Sequence, residues 1–133
     1  MNYNILVETT FDVEGQVDSI TVSNLCEYFF SEEEQIIKYN EQTEDGNVPT
    51  TIKASNGCVD ILRDSPAMPD MHMHEGDVVS ADINTPYGSI PTTCTTKKVA
   101  VSLDENGGII VMEYVMDIGG AISKNRVHIS IKK

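Results

Sequence analysis

The chain has 133 residues, a formal net charge of −12, 40% apolar residues and 23% charged residues. That size suits one domain, residues 1–133, which buries roughly two-thirds of its unfolded surface, and the composition is globular rather than disordered. Only nine Lys and Arg residues are scattered along it, so the cationic footprint of a phosphate-backbone binder is missing and no nucleic acid partner is expected.

Met1 to Phe11 shows no basic segment followed by a long apolar one, and no apolar run nears the roughly 20 residues of a membrane span. A cytoplasmic protein with no membrane span is the expectation. Cys26, Cys58 and Cys94 are odd in number and far apart, which fits reduced thiols serving as small buried hydrophobes.

In chain order, the first turn falls at Asp12 to Gln16, between two segments rich in Val, Ile and Thr. Ser31 to Gln35 has room for one helical turn before the third strand. Glu44-Asp45-Gly46-Asn47 ends that strand, and Asn56-Gly57 predicts a two-residue type I′ hairpin. Its register sets Ile52 opposite Ile61 and Ala54 opposite Val59 inside, Lys53 opposite Asp60 outside, and Arg63 on the inner side. Ser65-Pro66, Glu75-Gly76 and Pro86-Tyr87-Gly88 mark further turns. With Asn106-Gly107 as a second type I′ turn, Leu103 faces Ile110, Val101 faces Met112 and Val99 faces Tyr114. With Gly119-Gly120 turning the last hairpin, Met112 faces Val127, Ile110 faces Ile129, and Glu113 meets Arg126 on the opposite face. About ten strands result, in a sandwich or a barrel. A one-residue slip would expose the apolar set and bury Glu113 with Arg126. Away from the Asn106 end the inner face turns polar, through Tyr114, Asn125, Ser123 and Lys97.

The run Ile83-Asn84-Thr85-Pro86-Tyr87-Gly88, the Thr-rich strand to Lys97, Asp104 to Gly108, and Tyr114 to Gly120 followed by Ser123, Asn125, Val127, Ile129 and Ile131 together resemble the YwiB-like proteins, a bacterial family of unknown function. The resemblance implies an all-β fold, a closed antiparallel up-and-down, calycin-like barrel of about eight to ten strands, distantly lipocalin-like in shape, over nearly the whole chain. It implies no activity. The chain has no Trp, hence no lipocalin Gly-x-Trp signature, and the helical lid expected of intracellular fatty-acid carriers has no counterpart between the first two strands. It departs from the family's more uniformly apolar pattern at Met68 to His74, which here includes Asp70, His72 and His74.

No linear catalytic motif is present: no Gly-x-Ser-x-Gly, phosphate loop, His-Glu-x-x-His or Cys-x-x-Cys. The sequence therefore indicates no catalytic residue and no cofactor, and points away from an enzyme. Candidate ligand-binding residues are Arg63, Lys97, Tyr114 and Asn125 toward one mouth, Met71, Met73, Met112 and Met116 in an adaptable interior, and Tyr87 at the rim. The expected ligand is a small amphipathic molecule, its apolar body among the methionines and its anionic head toward Arg63 and Lys97. Glu41 and Asp82 are the internal alternatives as counter-charges. A solid barrel acting through its outer surface, on another protein or on itself, is the second reading, with the oligomeric state open. A divalent metal held by His72 and His74 with Asp70 is the third, opposed by a reading in which Met71 and Met73 point inward and both histidines face solvent. The acidic stretches Glu32-Glu33-Glu34 and Glu41 to Asp45 are read as solvated turn and edge residues.

Overall fold

In the computed structural model the described residues are 3–43, 46–64 and 70–133, with the side chains at 43, 81 and 83–85 outside the description. Ten strands account for nearly all of them: β1 (Tyr3–Val13), β2 (Gln16–Phe30), β3 (Gln35–Thr43), β4 (Gly46–Ser55), β5 (Cys58–Arg63), β6 (Met71–His74), β7 (Val78–Thr85), β8 (Gly88–Asp104), β9 (Gly107–Ile118) and β10 (Ala121–Lys132). They form one antiparallel sheet in the order β6-β5-β4-β3-β2-β1-β10-β9-β8-β7. Successive strands pair except β6 with β7, and β1 with β10 joins the first to the last. The turns expected at Glu44-Asp45 and at Ser65-Pro66 lie outside the described residues, as do Met68 and Pro69.

Two of the three hairpin registers hold residue for residue. Asn56 (φ 51°) and Gly57 (φ 78°) supply the two positive φ angles of a type I′ turn. Ile52 accordingly pairs with Ile61, Ala54 with Val59 and Lys53 with Asp60. At the last hairpin Met112 pairs with Val127, Ile110 with Ile129 and Glu113 with Arg126. Ile110, Met112 and Ile129 are essentially solvent-free. Each such side chain contributes roughly 1.5–3 kcal/mol by burial, so turning the set outward would consume most of a domain's stability of about 5–15 kcal/mol.

The Asn106-Gly107 hairpin differs. Val101 pairs with Ile110 and Leu103 with Gly108, two residues from the expected register, and the loop residues are Glu105 and Asn106. Neither has a positive φ; the positive angles fall on Gly107 and Gly108, inside β9. These glycines permit a backbone approach that a side chain would block, because a Cβ on Gly108 would lie 2.0 Å from the Ser102 carbonyl oxygen. A shift of two preserves which face each residue occupies, so Ile110 stays inside despite the changed partner.

The buried cluster unites Tyr3, Ile5, Tyr28, Ile37, Ile52, Val59, Met73, Ile110, Met112, Ile129 and Ile131 along the concave face. At the Asn106 end the Tyr3 and Tyr28 rings meet edge-on at 5.2 Å, and their hydroxyls donate to the carbonyls of Glu105 and Asp104. Four residues, Ser31 to Glu34, join β2 to β3 as a plain hairpin loop in place of the expected helical turn. The loop is closed by the Ser31 N–H on the Glu34 carbonyl and by the Glu34 N–H on the Ser31 hydroxyl.

Where a closed barrel was expected, the sheet is a curled, open half-barrel with β6 and β7 as its terminal strands. The β6–β7 connection draws the two ends together without completing a ladder. The Gly76 N–H donates to the Thr96 carbonyl and the Thr96 N–H to the Asp77 carbonyl, while the Thr96 hydroxyl donates to the Met73 sulfur at 3.3 Å.

Candidate functional site

Alternation decides what faces the concave side. On β1 the odd residues point inward and on β2 the even ones, since Val7 pairs with Val22 and Thr9 with Ile20. These side chains, with Phe11, form one wall of a cavity of about 250 Å³; Tyr39, Glu41, Ile52, Ile61, Arg63 and Met71 form the other, and Tyr114, Val127 and Ile129 its floor. The lining is mainly apolar, with Thr9, the Tyr39 and Tyr114 phenols and a charged pair as its polar groups. In that pair Arg63 Nε lies 3.4 Å from Glu41 Oε2, with each side chain less than one-fifth exposed.

This pair answers the question raised by an inward arginine, because the counter-charge comes from the chain itself. Glu41 is thus a half-buried partner of Arg63 rather than a solvated edge residue, and Asp82 is exposed. The contact engages the Nε–H of the guanidinium. Burial pushes the Tyr39 hydroxyl up to about 12, Glu41 adding to the rise and Arg63 opposing it. Burial also raises Tyr114. Both phenols therefore remain protonated donors at neutral pH.

Of the candidate residues, Arg63, Met71 and Tyr114 come together around this cavity. Asn125 is buried beside it, opposite Tyr114 and Phe11, with its amide nitrogen donating to Ser123 Oγ at 2.9 Å. Met73 and Met112 are fully buried in the core and line no part of the cavity, while Met116 packs at the margin of the core. Tyr87 is wholly exposed.

Lys97 is exposed and outside the cavity, contrary to expectation. The reason is a bulge: the β8–β9 register shifts between Thr96 and Lys98, so that Thr96 rather than Lys97 takes the inner place beside Tyr114. The even residues of β8 face inward before the bulge and the odd ones after it. Strict alternation from Val99 back to Lys97 could not register the extra residue.

His72 and His74 share the outer face, and Met73 between them is buried. Each histidine meets its own carboxylate, His72 with Asp60 and His74 with Asp77. Asp70 instead accepts the Arg63 backbone N–H at 2.9 Å. Among the described residues no group of three or more His, Cys, Asp or Glu side chains is placed to hold a metal ion. The three cysteines are free; burial raises Cys26 to about 11 and shifts Cys94 in the same direction. Among the described residues no helix is long and apolar enough to cross a membrane.

The lining residues that the sequence reading missed are Val7, Thr9, Phe11, Ile20, Val22 and Tyr39. Their signal was present in the alternation flanking the Asp12 to Gln16 turn, where Val7, Thr9 and Phe11 share a face with Val22 and Ile20.

Architecture and cavity together define a curled ten-stranded antiparallel sheet with a mainly apolar concave cleft and an internal ion pair in its lining. Residues 5–131 match the model of the domain of unknown function DUF1934, and the chain belongs to that family. It is 24% identical over 113 residues to the uncharacterized beta-barrel protein YwiB of Bacillus subtilis strain 168, covering 85% of this chain and 80% of that one. The crystal structure of the ywiB protein from Bacillus subtilis superimposes with a TM-score of 0.84 at 21% identity, over 98% of this chain and 90% of the other. That likeness extends the shared fold to both ends of the sheet, in agreement with the family resemblance read from the sequence.

Proposed function

We propose that this protein is a binding module whose concave cleft takes a small amphipathic molecule. The observation that carries the proposal is the mainly apolar cavity of about 250 Å³ with the Arg63–Glu41 pair in its lining. Its size is below the roughly 300–1,000 Å³ of drug-sized sites, which favours a short apolar body over a long acyl chain. A polar or anionic head would take the Arg63 guanidinium and the hydroxyl hydrogens of Tyr39 and Tyr114. Lys97 has no part in this arrangement.

Native mass spectrometry of gently purified protein, paired with thermal shifts against short fatty acids and acyl phosphates, tests the proposal. A ligand present at about one hundred times its Kd adds about 2.7 kcal/mol, a rise of roughly 6–10 °C for a chain of this size. Arg63→Met should reduce that rise. A bare polypeptide mass together with no shift from any compound would overturn the proposal.

A further inference from the structure

The β2–β3 pairing is short. Only Glu27 to Phe30 of β2 pair with Gln35 to Lys38 of β3, although both strands continue well beyond that point. Past the fork β2 pairs with β1 alone and β3 with β4 alone. Among the described residues no strand pairs with the outer edge of β2 from Val17 to Cys26. Alternate residues of such an edge turn their N–H and C=O groups into the fork.

Long edges are normally blunted by lysine, proline, bulges or brevity. The terminal strand β6 shows this, being only four residues long. Val17 to Cys26 has no lysine, no proline and one charge, Asp18. Inside the fork Ile20 and Val22 face Tyr39 and Glu41 across the cavity.

At the apex stands an amide group. Continuing the register two steps beyond Glu27 and Lys38 would set Leu25 opposite Asn40. Instead the Asn24 side-chain amide lies there, donating from Nδ2 to the Asn40 carbonyl and accepting the Leu25 N–H on Oδ1 at 2.8 Å. A primary amide carries the same donor and acceptor as a peptide group. The fork thus holds one peptide-like unit where the first unit of an inserted strand would begin.

From this geometry we propose that the fork between β2 and β3 receives an extended, cationic polypeptide segment by strand addition to β2. Alternate apolar side chains would enter beside Ile20 and Val22, and the intervening ones would face outward. The positive charge follows from Asp18, the one charge on this edge, and from the chain's net charge of −12. The same net charge opposes a second copy in this position. The inference goes beyond the cleft reading, because backbone edges rather than the Arg63 pocket supply the affinity.

The test uses the full chain and a capped peptide of about eight alternating Lys and Val residues, alongside the same peptide N-methylated at alternate amides. Nuclear magnetic resonance should show shifts and slowed exchange at the Val17 to Leu25 amides. N-methylation and the Thr21→Lys, Ser23→Lys variant should each weaken binding at least about tenfold. Equal binding by the methylated peptide, perturbations confined to β6 and β7, no binding at all, or self-association in place of peptide binding would each overturn the proposal.

Discussion

Replacing Gly108 by Ala tests the account of the Asn106 hairpin. At φ +140° an alanine leaves the ordinary basins, and its Cβ would sit 2.0 Å from Ser102 O and 3.1 Å from Leu103 Cα. The backbone term alone costs about 1–3 kcal/mol. Relieving the overlap must also separate β8 from β9 near Leu103, weakening one or two ladder bonds at about 1 kcal/mol each. The expected loss is about 2–5 kcal/mol, or roughly 7–18 °C in Tm. Gly120→Ala is the control, since φ is +95° there but no atom lies within 4 Å of the added Cβ; it should lose only the backbone term. Urea unfolding followed by circular dichroism and tyrosine fluorescence, with five Tyr and no Trp in the chain, gives both values at a common slope. Equal losses for the two variants, within about 0.5 kcal/mol, would refute the steric argument.

Arg63→Met leaves Glu41 half-buried without its cation, and should cost about 1–2 kcal/mol at pH 7; the urea midpoint checks this. Met73→Ala should lose about 2–5 kcal/mol and speed amide exchange in β6, because the Thr96 hydroxyl loses its sulfur acceptor and the seam its packing. Tyr39 and Cys26 are neutral when protonated and have raised folded values, about 12 and about 11. Above the unfolded values the native state holds more protons, so their contribution is complete below about pH 9 and declines between about pH 9 and 12. Tyr39→Phe should flatten that decline in alkaline urea titrations. Cys26 should resist alkylation at pH 8 unless the protein is unfolded.

The sequence by itself determined the strand count, the antiparallel pairing of successive strands other than β6 and β7, and the inner face of the last hairpin. It also determined the turn at Asn56-Gly57. These depend on nearest-neighbour alternation and local φ preferences, which need no distant information. Arg63, Met71 and Tyr114 were legible as inward residues for the same reason. Only the tertiary structure decided the rest. The extra residue between Thr96 and Lys98 reverses the facing of Lys97, and it is visible only against β9. Glu41 becomes the partner of Arg63 because β4 lies between their strands and brings both side chains to the same concave face. The opening between β6 and β7 and the fork between β2 and β3 likewise depend on where ladders stop, and a ladder's end is fixed by packing across the whole sheet rather than by the residues at that point.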